Sequence, residues 1–149
     1  MNYAVVGFGT AGYHAVKAIR ACDQEGEIDV YSNTSRAPYN PMLTTYYAFG
    51  KLEFDGLFPF GDLDQIRKEI SFHLIQEPVI RVHAKEHLVE TKQQTKQYDR
   101  ILIATGARAF APPVKGLDPE DAFLMRTVED SIRFKERLKQ KNVRHAVVI

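Results

Sequence analysis

In Tyr3-Ala4-Val5-Val6-Gly7-Phe8-Gly9-Thr10-Ala11-Gly12 an apolar run stops at a glycine, and three glycines then follow the order G-x-G-x-x-G. The run over residues 2–6 reads as a strand. The residues after it repeat at helical spacing, with Ala11, Ala15, Ala18 and Ile19 expected on one buried face. Residues 26–31, Gly-Glu-Ile-Asp-Val-Tyr, read as a second strand. Strand, glycine turn, helix and strand within about thirty residues open a parallel α/β sheet, and the right-handed crossover puts the second strand beside the first. The fold class expected is therefore α/β, a Rossmann-like parallel sheet with crossover helices.

Each glycine has its own mechanical task in such a unit. Gly7 allows the tight turn, Gly9 lets a pyrophosphate approach the backbone, and Gly12 lets the helix pack close to the strand. The diphosphate would rest on the free N–H groups and positive end of the helix, near Thr10 and Ala11. The ribose of a bound dinucleotide usually meets an acid about twenty residues beyond the last glycine. That position is Ser32, which is not acidic, and Asp29 lies within the strand, where alternation points it elsewhere. Near the turn two readings stay open: a ribose held by Ser32 and Asn33, or an extra phosphate met by Ser32 and Arg36, which would make the site one for NADP.

Composition bounds the rest. The 149 residues suit one domain-sized core, and a formal net charge of +1 supplies no general field for nucleic acid or an anionic surface. Cys22 is the one cysteine, which excludes an internal disulfide or a CxxC site. No apolar run approaches the roughly 20 residues of a membrane span, and the chain starts directly on a strand, so a soluble, cytoplasmic protein is expected.

Residues 32–60 are irregular and aromatic, with Pro38, Pro41 and Pro59, and a long loop of this kind is usually functional. Asp62 is placed to N-cap a short helix ending at Glu69. Residues 70–75 and 79–83 read as strands, 86–91 as the return of an antiparallel hairpin inserted in the fold, and 92–97 as a polar turn. Ile101-Leu102-Ile103 reads as a buried strand ending at Ala104-Thr105-Gly106. Pro112, Pro113 and Gly116 mark an exposed connection. Thr127 with Asp130 opens a basic helix reaching about Lys141, and Ala146-Val147-Val148-Ile149 begins another apolar strand. A domain seldom ends within a core strand, so a fragment of a longer parent is expected. Residues 1–116 would be the N-terminal part of one domain, and 117–149 the connection, helix and first strand of the next.

Several side chains read more plainly as structure. His83 and His87 have metal-ligand spacing only on a helix, and their segment alternates as a hairpin. His14 and Cys22 are expected to pack, the aromatic loop to act as a cover, and the basic helix to present a solvated face. No metal ligand and no catalytic acid or nucleophile is nominated.

Tyr98-Asp99-Arg100-Ile101-Leu102-Ile103-Ala104-Thr105-Gly106-Ala107-Arg108, followed by Pro112-Pro113 and Gly116-Leu117, resembles the second flavin motif of the pyridine nucleotide-disulfide oxidoreductase-like flavoproteins, which carry two dinucleotide-binding domains. Ala37-Pro38-Tyr39-Asn40 is similar to the Pro-Tyr-Asn/Asp stretch of the ferredoxin, rubredoxin and nitrite reductase-type members. Residues 126–130 and 146–149 look like the approach to the family's NAD(P)H-binding unit. The resemblance implies FAD in the first glycine site, with Gly7, Gly9, Thr10, Ala11 and Gly12 at the pyrophosphate and Ser32 with Asn33 at the adenosine ribose. It further implies the Val79 backbone at the adenine, Ala104, Thr105 and Gly106 passing the cofactor through main-chain atoms, and Thr44 and Thr45 on the loop toward pyrophosphate and isoalloxazine.

Two departures stand out. Pro41 replaces the arginine that relatives often carry, and the loop lacks the cysteine of the disulfide-reducing branches, which argues against dithiol chemistry. The function implied is the FAD-binding segment of an NAD(P)H-dependent oxidoreductase. NAD(P)H would bind outside this chain and electrons would leave to an acceptor, a small protein or small molecule; neither nucleic acid nor membrane is an expected partner, and a homo-oligomer is compatible with this reading. The alternative is a non-catalytic NAD-sensing module, which would lack the Ala-Thr-Gly strand end and keep the acid at the ribose. An NADP enzyme using Ser32 and Arg36 is the third.

Overall fold

The computed structural model describes residues 1–118, 122–140 and 143–148. It divides into two units, the first made of Met1–Tyr39 and Phe58–Gly106, the second of Asn40–Leu57 and Ala107–Ile149.

In the first unit β1 (Asn2–Val6), α1 (Thr10–Cys22) and β2 (Glu27–Tyr31) form the parallel crossover that the glycine turn predicted, with Val5 opposite Val30. α3 (Leu63–Glu69) leads to β3 (His73–Ile75), which pairs parallel with β2. The chain then builds an antiparallel sheet from β4 (Val79–His83), β5 (Leu88–Thr91) and β6 (Thr95–Gln97) before returning as β7 (Arg100–Ile103), parallel to β1. The parallel sheet has the order β3-β2-β1-β7.

Alternation along the strands gives this sheet two different faces. Val5, Ile28 and Val30 face α1 and α3, packing with Phe8, Tyr13, Val16, Ile66 and Ile70. Ala4, Val6 and Tyr31 face the other way, onto Val89 and Tyr98. Val5 and Val30 are fully buried, and each contributes roughly 1.5–3 kcal/mol by leaving water.

α3 starts with a complete capping box. The Asp62 carboxylate accepts from the Gln65 N–H at 2.8 Å, and the Gln65 side chain accepts from the Asp62 N–H at 2.9 Å. Asp62→Ala is expected to cost about 1 kcal/mol, read as a lower urea midpoint with an unchanged slope.

Several expectations need correction. The buried stripe of α1 is Gly12, Tyr13 and Val16, with Ala15 and Ile19 half-buried, whereas Ala11 and Ala18 are exposed. The large Tyr13 ring, stacked on Phe60 at 4.3 Å, takes its place in the core where alanines were expected. The strand expected over 70–75 begins only at His73, since the Ile70 N–H closes the last turn of α3 on the Ile66 carbonyl. The inserted hairpin is a three-stranded sheet, because Thr95–Gln97 pairs with β5 where a polar turn was predicted. Leu102 and Ile103 are 43% and 64% exposed rather than buried, for β7 is the edge of its sheet. Cys22 is exposed.

In the second unit Pro41–Leu43 forms a 3-10 turn, α2 (Thr44–Ala48) follows it directly, and Phe54–Leu57 forms another 3-10 turn. α2 packs on α4 (Val128–Gln140), where Phe49 meets Phe134 edge-on and Lys135 lies over the Tyr47 ring. Thr127 and Asp130 cap α4 reciprocally, as predicted. Residues 143–148 form no strand; a strand needs a hydrogen-bonded neighbour, and none pairs with them among the described residues. Lys141 and Ile149 lie outside the described residues.

Candidate dinucleotide site

The turn after β1 is held from both sides. The Gly7 N–H donates to the Tyr31 carbonyl at 2.8 Å, and the Ala104 N–H donates to the Val6 carbonyl at 2.7 Å. Gly7 has φ +104°, and a Cβ there would drive into the Ala104 carbonyl and lie 3.0 Å from the Thr105 Cα. Gly12 is also confined, since a Cβ would collide with the Gly7 carbonyl. Two of the three glycines are therefore required by backbone packing.

Gly9 is different. Nothing lies within 4 Å of where its Cβ would be, and its φ of −89° is open to any residue. The fold itself does not need glycine at this position. As N-cap of α1, Gly9 makes no side-chain cap, and Gly9, Thr10 and Ala11 are all exposed. The first amide groups of a helix have no intrahelical acceptor. The result is an uncapped helix start, a bare approach at Gly9, and positive charge from the helix dipole. That combination is suited to a diphosphate.

Ala104, Thr105 and Gly106 leave β7 beside Gly7, so the two sequence motifs, far apart in the chain, meet at one strand end. Thr105 and Gly106 are exposed, and Gly106 has φ +69° with open space around it.

At the end of β2, Ser32 is buried, and its hydroxyl donates to the Thr34 carbonyl at 2.9 Å while accepting from the Thr34 N–H at 3.2 Å. Asn33 is exposed. The Ser32 hydroxyl thus serves the local turn, and of the two residues Asn33 presents its side chain to solvent. Val79 is half-buried at the start of β4, opposite Thr91, and packs against the cluster containing Tyr31 and Tyr98. Thr44 and Thr45 belong to the second unit. Thr44 is fully buried and donates to the Pro41 carbonyl at 2.8 Å, and Thr45 donates to the Met42 carbonyl at 3.5 Å.

Asp29, in the middle of β2, is 3% exposed, and its Oδ2 accepts from Lys96 Nζ at 2.7 Å and from the Tyr98 hydroxyl at 2.7 Å. His73 Nδ1 lies 3.3 Å from Oδ1. Burial pushes this carboxyl up, but the bonds from Lys96 and Tyr98 outweigh it and hold it below the usual carboxylate range. Desolvation, with bonds to Tyr31 and Asp29, pushes the Tyr98 phenol far up, so it remains a donor. His83 Nε2 pairs with Glu90 at 3.0 Å within the antiparallel sheet, and His87 lies in the β4–β5 turn. Among the described residues no group of His, Cys, Asp and Glu side chains is arranged to hold a metal, and no helix is long and apolar enough to cross a membrane.

The chain is similar to several known proteins. The epsilon subunit of NADH-dependent phenylglyoxylate dehydrogenase from Aromatoleum evansii is 27% identical over 99% of this chain and 35% of its own length. The ferredoxin–NAD(+) reductase component of the 3-phenylpropionate/cinnamic acid dioxygenase of Photorhabdus laumondii is 27% identical over 93% of this chain and 35% of its own. The chain therefore spans about a third of the length of these relatives. A solved NAD-dependent persulfide reductase from A. fulgidus superposes with a TM-score of 0.86 at 25% identity, covering 94% of this chain and 27% of that one. The family model described as pyridine nucleotide-disulphide oxidoreductase matches residues 1–149, and the chain belongs to that family.

Proposed function

We propose that this chain is the FAD-binding segment of an NAD(P)H-dependent flavoprotein oxidoreductase. The observation that carries the reading is the contrast at the turn: Gly7 and Gly12 are demanded by packing, whereas Gly9 is demanded by nothing in the protein and stands bare before an uncapped helix. A dinucleotide pyrophosphate explains a glycine there. The Ala104-Thr105-Gly106 strand end beside Gly7 favours FAD over a nicotinamide nucleotide, on the family resemblance.

In this reading Gly7, Gly9, Thr10, Ala11 and Gly12 hold the pyrophosphate, Asn33 and the Ser32 main chain meet the ribose, and the Val79 backbone meets the adenine. Ala104, Thr105 and Gly106 pass the cofactor through main-chain atoms, and Thr44 and Thr45 are assigned to it on the likeness of their loop alone. The flavin, once bound, supplies the redox chemistry, and the chain's own groups orient it. NAD(P)H binds in a domain outside this chain, for which residues 117–149 form the approach after the FAD part over 1–116. The acceptor is a small redox protein or molecule, a class to which the ferredoxin in one relative's name belongs. A cytoplasmic location suits this chemistry.

The full-length protein is expected to purify yellow and to release FAD on denaturation. Gly9→Ala is expected to leave the unfolding free energy within about 0.5 kcal/mol and to weaken FAD at least tenfold, measured by titrating the apoprotein and following flavin fluorescence. A colourless full-length protein that binds NADH or NADPH at this turn would overturn the reading in favour of a nicotinamide-sensing module. So would an unchanged FAD affinity in the Gly9 variant.

A further inference from the structure

Asp29 reaches farther than a local ion pair. Its carboxylate joins β2 to β6 through Lys96, to the approach of β7 through Tyr98, and to β3 through His73. The Tyr98 hydroxyl is also 2.6 Å from the Tyr31 hydroxyl, with the two rings edge-to-face at 6.3 Å. Tyr31 is the last residue of β2, and its carbonyl accepts the Gly7 N–H. The next residue, Ser32, donates its N–H to the Ile75 carbonyl at 3.0 Å. Val79 packs on the same cluster as Tyr31 and Tyr98. Two of the positions assigned to the adenosine half, Ser32 and Val79, therefore border one end of a polar chain whose other end is Asp29.

An apolar contact between the two sheets would stabilise their packing without fixing their register. A buried carboxylate with directional bonds to a lysine and a tyrosine permits far fewer arrangements, and such groups are costly enough to need a reason. We propose that Asp29 is a positioning residue for the adenosine half of the bound dinucleotide: clamped by Lys96 and Tyr98, it sets the end of β2 and the start of β4 at the spacing that the adenine and ribose require. The proposal rests on the reading of the glycine turn as an FAD site.

The test uses the full-length apoprotein, titrated with FAD and with ADP as a probe of the adenosine and pyrophosphate alone, at a pH and temperature where circular dichroism shows each variant fully folded. Under those conditions lower stability by itself does not change affinity. D29N is expected to weaken FAD and ADP by the same factor, about tenfold, and to leave the visible spectrum of the saturated flavin unchanged. K96M, which removes the clamp from a side chain already 39% exposed, is expected to do the same by about threefold, and it decides the matter if D29N does not fold. Unchanged affinities in the folded variants overturn the proposal, as does a loss for FAD with none for ADP, which would place the defect at the flavin end. A wild-type protein that binds neither FAD nor ADP removes the FAD reading itself, and the proposal with it.

Discussion

Gly7→Ala is expected to lower the unfolding free energy by about 4 kcal/mol, and with it the urea midpoint. Two costs combine. The first is conformational: φ is +104°, a region that a residue with a Cβ occupies only under strain of about 1–3 kcal/mol. The second is steric: the new methyl would enter the Ala104 carbonyl and crowd the Thr105 Cα, an overpacking worth about 1–3 kcal/mol. Relief is difficult because the obstacle is backbone. Ala104 is bound to Val6 at 2.7 Å and Gly7 to Tyr31 at 2.8 Å, so moving either strand end breaks a ladder bond. Gly9, two residues on, meets neither cost, and the difference between the two alanine variants separates what the fold needs from what a ligand needs. A loss below about 1 kcal/mol for Gly7→Ala would mean that the strand ends are softer than the packing implies.

The glycine turn was readable because its demands are local: each glycine acts within a few residues of itself, between a strand and a helix that reveal themselves by apolar periodicity. The capping boxes at Asp62 and at Thr127 were readable for the same reason. β6 was not, since its three residues are Thr, Lys and Gln, and the one that turns inward is Lys96. It pairs with β5, and its inward lysine meets Asp29, 67 residues earlier, a distance over which no periodicity pairs residues. A signal did exist in the charge at the centre of Ile28-Asp29-Val30, between two side chains of the helical face, because a buried carboxylate implies a partner. The exposure of Leu102 and Ile103 was hidden for the opposite reason: apolar composition on both faces is what a central parallel strand shows, and β7 is an edge. At the site, the residue type at Ser32 was legible, but the commitment of its hydroxyl to Thr34 depends on how the turn after β2 folds.

The same network makes stability depend on pH in a defined direction, and Asp29→Ala exposes it. At pH 7 the variant is expected to lose about 2–3 kcal/mol, below the roughly 3–5 kcal/mol that removing one partner of a fully buried pair costs, because Lys96 is 39% exposed and can turn to water. The wild-type contribution has limits on both sides. Asp29 binds its proton less readily in the folded protein than in the unfolded chain, so its stabilisation is whole above the ordinary carboxylate pKa of about 4 and fades as pH falls through the lower folded value. The bond to Asp29 raises the Lys96 pKa against the effect of burial, so the lysine's share is whole below about 10.4 and is lost only as pH rises through the higher folded value. Urea midpoints of wild type and variant should therefore stand farthest apart between about pH 5 and 9 and converge toward pH 3. Other carboxylates held low in the folded state, such as Asp23 beside the Gly26 amide and the Tyr3 hydroxyl, act on both proteins alike and cancel in the difference. A gap as wide at pH 3 as at pH 7 would mean that Asp29 stabilises by packing alone, and that the lysine and tyrosine around it are only filling space.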